Sequence, residues 1–232
     1  MAEMTIPVEP LAPVASSHDR ILASAKRLFA SQGYEATSTM AIARLAGTSE
    51  SQMMKHFGSK EGLLEAILDQ GWKSMGAAVA QIQSIPAGPQ KLVSLLEIVL
   101  NTLNNDPDLK ELYLLEGRRI RREGRHVVLS PGYIDFVHLV DDVLKQMAGA
   151  GTLKPGIAPD AVRSAIMGMT EGMMRDQVLS HRRGEFPAEY TDQDYKTMFV
   201  VFLQGVTIKP APLKAVPRKH KAKSRVASRH RR

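Results

Sequence analysis

The chain has 232 residues, 44% hydrophobic and 24% charged, enough for one compact unit or two small ones with a proper core. It has no cysteine, which excludes disulfides, thiolate nucleophiles and cysteine-ligated zinc or iron-sulfur sites and fits a reducing, cytoplasmic setting. The formal charge of +7 suggests a polyanionic partner, but ten Lys or Arg and no Asp or Glu lie from Lys209 onward, and removing those ten leaves -3 for residues 1–208.

Taken in order, residues 1–17 carry Pro7, Pro10 and Pro13 with little bulky apolar pattern, and read as a flexible arm without an assigned function. A first helix is expected from about His18, with Ile21, Ala25, Leu28 and Phe29 at helical spacing and Gly33 ending it. In Ser38 to Leu64, Ala43 and Ala46 are small where a second helix must come close, Ile42 and Leu45 supply apolar bulk, and Gly47 stops a short helix. Ser49 caps the next one, with Gln52 at capping-box spacing. Met53 and Phe57, four apart, make an inward face, which leaves Glu50, Ser51, Gln52, Met54, Lys55 and His56 outward. Such a pair fits a helix-turn-helix that sets side chains against base edges, although any small helical domain shows apolar residues at these spacings.

Ser59 to about Ile82 reads as one long helix, with Leu63, Leu64, Ile67, Leu68, Trp72 and Met75 on its apolar side. Pro86, Gly88 and Pro89 break the chain before a helix marked by Leu92, Leu95, Leu96, Val99, Leu100 and Leu103; a turn at Asn104 to Pro107 leads to the next. Glu116 to Arg125 is dense in arginine, and its side chains either face solvent and pair with nearby Glu or contact an anion or second subunit. A helix after Pro131-Gly132, a glycine- and proline-bearing connection over Gly149 to Pro159, and helices over Asp160 to about Ser180 and Gln193 to Gln204 complete the ordered part. The apolar residues of these last two helices suit either a monomer core or an interface between copies. The tail combines Pro with Lys and Arg and either touches DNA backbone or aids solubility.

The run of residues Arg20 to Leu64 resembles the DNA-binding domain of the TetR/AcrR family of transcriptional regulators. The likeness lies in Ile21-Leu22, Ala25, Leu28-Phe29, Gly33-Tyr34, Thr37-Ser38, Ile42-Ala43, Ala46-Gly47, Ser49, Phe57, Ser59-Lys60-Glu61 and Leu63-Leu64, about a fifth of the chain. It implies an all-α fold: an arm at 1–17, a helix-turn-helix domain at 18–64, a helical ligand-binding and dimerisation domain at 65–206, and a basic tail at 207–232. It also implies a bacterial, ligand-responsive regulator, normally a repressor, that binds a palindromic double-stranded DNA operator as a homodimer.

On that resemblance Glu50, Ser51, Gln52, Met54 and Lys55 are expected at bases or in the groove, and Ser38, Arg44, His56 and Lys60 at the DNA backbone. Met54 departs from the family's usual aromatic, commonly tyrosine, and supplies no hydroxyl for the backbone. Tyr113, His126, Tyr133, His138, Met169 and Met173 are candidates for the pocket of an unidentified small-molecule effector. Ile166, Met169, Met173, Tyr195, Met198, Phe199 and Phe202 are candidates for the dimer interface. No HExxH, GxSxG or phosphate-loop pattern occurs, and histidine is sparse, so neither an enzyme nor a metal or cofactor site is expected. No 18 consecutive apolar residues occur, and no membrane partner is expected.

Overall fold

The computed structural model describes residues 16–116, 118, 127, 129–183 and 188–208, with only the backbone of 181–183. Nearly all of the arm, nearly all of the basic tail and His126 fall outside these residues. Among the described residues the secondary structure is helical apart from isolated bridge residues, of which Leu153 pairs antiparallel with Thr207.

Most of the helices begin where the sequence supplies a cap. In α1 (Ser17–Gln32) the Ser16 side chain accepts from the Asp19 N–H, and in α2 (Thr39–Leu45) Ser38 accepts from Ala41. In α3 (Glu50–Phe57) Ser49 accepts from Gln52, and in α4 (Lys60–Ser74) Ser59 accepts from Gly62. Each such bond satisfies one of the first-turn amides that have no partner inside the helix, and stabilises by about 1 kcal/mol. Proline takes the first helical position of α6 (Pro89–Asn105), α7 (Pro107–Tyr113) and α8 (Pro131–Gly149), where a missing N–H costs nothing. A reciprocal capping box, Thr191 with Asp194, starts α10 (Asp192–Val206) behind the 25-residue α9 (Pro159–Arg183).

The helix expected over Ser59 to Ile82 is two: α4 gives way to α5 (Gly76–Gln81) at Met75. Met75 is buried, and its N–H closes on the Trp72 carbonyl three residues back, tightening the last turn before Gly76 restarts the chain. Leu45 also departs from expectation and is 49% exposed. Across α2 and its C-cap, Ile42, Ala43 and Ala46 share one face, and Leu45 lies about a sixth of a turn beyond its edge.

One continuous core runs from Ile21, Phe29, Ile42 and Met53 through Leu63, Leu64, Ile67 and Leu68 to Leu92, Leu96, Val99, Val140, Leu144 and Phe199. Burying each large side chain contributes about 1.5–3 kcal/mol before ordering costs. The helix pair is therefore seated on the larger bundle through packing: α1 lies on α7, and α4 on α7 and α8. Lys26 of α1 adds an ion pair of 2.5 Å with Asp106, the cap of α7.

Candidate nucleic-acid interface

The turn between α2 and α3 is fixed by backbone chemistry. Gly47 adopts φ +62, a left-handed conformation that favours glycine, so the Thr48 N–H reaches the Ala43 carbonyl at 3.0 Å and closes α2. Arg20 donates from Nε to the Ala46 carbonyl at 3.0 Å, tying α1 to the end of α2. The Thr39 hydroxyl donates to the Glu50 carboxylate, joining the starts of the two short helices. Thr37, buried, donates to the carbonyls of Gly33 at 2.8 Å and Leu28 at 3.2 Å. These ties hold the pair at one angle, the condition for presenting a helix face to a groove.

On α3 the buried residue is Met53, with Phe57 half-buried against the stacked His18 ring at 4.9 Å. Glu50, Ser51, Met54, Lys55 and His56 are exposed and Gln52 is half-exposed. Met54, 41% exposed, is among the side chains on this outward face. The Gln52 amide nitrogen lies 3.3 Å from His56 Nε2, which in turn lies 3.2 Å from the Ser17 hydroxyl, so the far end of α3 is linked to the start of α1. A hydrogen bond from Ser16, with one from His18, holds the nearby Asp19 carboxyl below its ordinary range and keeps it ionised in the first turn of α1.

The four residues expected at the DNA backbone have different environments. Arg44 is exposed in the last turn of α2, and His56 is exposed on α3. The Ser38 oxygen is occupied as a cap acceptor, which leaves its proton for donation. Lys60 is folded back, its Nζ 4.4 Å from the Tyr34 ring centroid and 3.4 Å from the Glu35 carbonyl.

In the larger bundle an apolar cavity is lined by Leu92, Leu95, Leu96, Val99, Tyr113, Phe136, Val140, Ile166, Met167, Thr170 and Phe199. At ≈ 20 Å³ it has room for about one water. Of the effector-pocket candidates Tyr113 lines it. Tyr133 is half-buried with its ring 5.5 Å from Trp72, Met169 and Met173 pack partly buried against the core, and His138 is exposed.

A junction that no local sequence pattern reveals lies between this cavity and the helix pair. Trp72 of α4 contacts Phe136 at 4.9 Å and Tyr113 at 5.6 Å, both cavity residues. Its indole N–H donates to Glu116 at 3.2 Å, and the same carboxylate accepts from the Ser130 N–H at 2.7 Å and the Ser130 hydroxyl at 3.1 Å. Asp69 accepts from the Gly132 N–H at 2.9 Å, so two carboxylates hold the start of α8. A Cβ on Gly132 would stand 2.5 Å from the Trp72 Cβ, a separation that only glycine allows. Burial raises the Glu116 carboxyl above its ordinary value against the opposing effect of these three hydrogen bonds, and Asp69 adds to the rise. The available signal was Ser130-Pro131-Gly132, a cap followed by proline, yet nothing in it names Glu116 as its partner.

Of the candidates for an interface between copies, Ile166, Tyr195 and Phe199 are buried within the single chain, and Met169, Met173 and Phe202 are partly buried. Met198 and the adjacent-turn Val201 are 52% and 53% exposed on α10. On α9 a Cβ built on Gly168 or Gly172 meets nothing within 4 Å, so both open outward.

Comparison with known proteins places these features. Residues 21–67 match the family model described as bacterial regulatory proteins, tetR family. The chain is 29% identical over 140 residues to an uncharacterized HTH-type transcriptional regulator, YvkB, of Bacillus subtilis, covering 60% of this chain and 72% of that one. It is 25% identical over 194 residues to the HTH-type transcriptional repressor KstR2 of Mycolicibacterium smegmatis, covering 83% and 92%. A crystal structure of a tetR family transcription regulator from Shewanella sp. PV-4 superposes with a TM-score of 0.64 at 21% identity, over 84% of this chain and all of the other, a likeness of fold.

Proposed function

We infer, from its membership of the TetR family of DNA-binding bacterial transcriptional regulators, that this chain acts as a repressor whose hold on DNA is set by a small molecule. The family and the relatives are regulators of transcription rather than enzymes. The observation that carries the reading is the outward face of α3, displayed by a turn whose two helices are capped, tied together and braced by α1.

In this reading Gln52 and Lys55 bond base edges, Glu50 and Ser51 sit at the groove-facing helix start, and Met54 makes an apolar groove contact suited to a thymine methyl. Ser38, Arg44, His56 and Lys60 hold the DNA backbone, Lys60 after swinging from the Tyr34 ring. Two copies pair through the outward faces of α9 and α10, where Met198, Val201 and the open Gly168 and Gly172 favour close approach of a second chain. That pairing sets two α3 helices on half-sites of a palindrome, about one DNA turn apart. The effector occupies the cavity beside Tyr113 and Phe136 and binds one of two arrangements more tightly, which is all that a ligand needs to move the equilibrium. Among the described residues no helix is long and apolar enough to cross a membrane, and we place the protein in the cytoplasm with its DNA.

The test is selection of genomic fragments with purified protein, then competition with candidate effectors. A shared palindrome bound by two copies is expected. Gln52→Ala should relax specificity at one position per half-site, at about 1–3 kcal/mol, whereas Lys60→Ala should weaken all sequences alike and lower the salt slope by about 1. Equal losses on specific and random DNA for both variants would remove this division of labour.

A further inference from the structure

The Gln52 side chain, on the outward face of α3, is tied at its tip. Its amide nitrogen lies 3.3 Å from Nε2 of His56, and the same ring nitrogen lies 3.2 Å from the Ser17 hydroxyl of α1. The His56 ring meets His18 edge-on at 5.7 Å, and His18 stacks on Phe57 at 4.9 Å. An amide nitrogen only donates, so this arrangement requires Nε2 to accept: the ring is neutral, its proton is on Nδ1, and the Gln52 carbonyl is turned away from it. The Ser17 hydroxyl can donate or accept and suits either state of the ring. A protonated ring carries N–H at both nitrogens, so Nε2 then meets the amide donor with a donor of its own. The amide relieves that clash by turning over, its carbonyl towards Nε2 and its two N–H bonds away.

We propose that His56 is a positioning residue that decides which face of the Gln52 amide is shown to DNA, and with it the base that Gln52 prefers. The proposal rests on the reading of Gln52 as a base contact. With Nε2 accepting, Gln52 shows its carbonyl and its second N–H, the acceptor and donor that match the N6 and N7 edge of adenine. With Nε2 donating, it shows two N–H bonds, which match the O6 and N7 acceptors of guanine. In both states the Nδ1 proton remains available to a phosphate. Imidazole is the side chain that ordinarily gains its proton between about pH 8 and pH 5, so a falling pH moves the preference from adenine to guanine. The other titratable groups around His56 are His18, Asp19 bonded to His18 at 3.2 Å, Lys55 on α3 itself, and Lys60 and Glu61 in the first turn of α4, Lys60 resting on the Tyr34 ring. Among the described residues it is His56, and none of these, that bonds the Gln52 amide.

The experiment selects bound members of a random-sequence duplex library with the full chain at about pH 8 and about pH 5.5, in the native protein and in Gln52→Ala, His56→Phe and His18→Gln. A thermal melt of each at both pH values accompanies it; His18 and His56 are exposed and Gln52 half-exposed, so the variants should melt with the native chain. If His56→Phe does not melt cooperatively, His56→Leu replaces it with the same expectation. A charge on His56 strengthens binding to every sequence, so the readout is the ratio of adenine to guanine at each position. In the native protein that ratio should fall by about tenfold at one position per half-site between the two pH values, the size expected for one bidentate contact. Gln52→Ala should erase the preference at that position at both pH values. His56→Phe should hold a single ratio at both, and His18→Gln should keep the native shift. A native ratio unmoved by pH, a shift that survives His56→Phe, or a shift that His18→Gln removes overturns the proposal and leaves Gln52 standing as a base contact. A preference untouched by Gln52→Ala overturns the base-contact reading and the proposal with it.

Discussion

Replacing Glu116 tests how the regulatory bundle is joined to the DNA-binding helices. Glu116→Ala removes the acceptor of the Trp72 indole and of the Ser130 N–H, and Ser130 is fully buried. Each donor left unpaired costs about 1–3 kcal/mol, so the variant should lose about 2–5 kcal/mol of a total stability of about 5–15 kcal/mol. For a chain of this size that is a fall in melting temperature of roughly 5–15 °C. Glu116→Gln keeps one acceptor oxygen and should cost about 1–2 kcal/mol at the acid end of the range.

The pH dependence gives the sharper result. Burial raises the folded-state value of Glu116, so the protonated carboxyl is the form that the fold prefers. Its contribution is fully present below the ordinary glutamate value of 4.5 and is lost as pH rises through the elevated folded value. Glutamine does not ionise, so the deficit of Glu116→Gln relative to the native chain should shrink as pH rises from 4.5 towards neutrality. Urea melts at several pH values measure it. Native and Glu116→Gln stability curves that run parallel across that window would refute the argument.

Two further outcomes are expected. Ser49→Ala removes the cap of α3 and should cost about 1 kcal/mol in urea melts, with weaker binding to every DNA sequence; a loss confined to one base position would contradict it. Gly168→Leu and Gly172→Leu project side chains into open space in the single chain, so melting of the isolated chain should hardly change while sedimentation at micromolar concentration shifts from dimer towards monomer; an unchanged mass would count against the proposed interface.

The helix pair was legible because its determinants are local. Ser38, Gly47, Ser49 and Ser59 act on amides and carbonyls within a few residues, and Met53 is buried where its spacing with Phe57 places it. The break at Met75 was less legible, since Leu63 to Met75 keeps its apolar spacing across α4 and Gly76, the stop signal there, leads straight into the helix-forming Ala77-Ala78. Of the cavity lining only Tyr113 was legible among the named candidates, and its junction with the helix pair was not. Trp72 and Glu116 stand 44 residues apart, and Gly132 lies 63 residues from Asp69, so no local pattern names Glu116 as the partner of Trp72 and Ser130.

By itself, then, the sequence determined where the caps fall, that the chain is helical, and which side chains of α3 point outward, because each is set by hydrogen bonds and spacing within one or two turns. Tertiary structure alone decided what each apolar face meets. Helical period marks Tyr195, Met198, Phe199 and Phe202 as apolar, but only packing sends Tyr195 and Phe199 into their own chain's core and leaves Met198 half-exposed, since period names a face and not the surface laid against it.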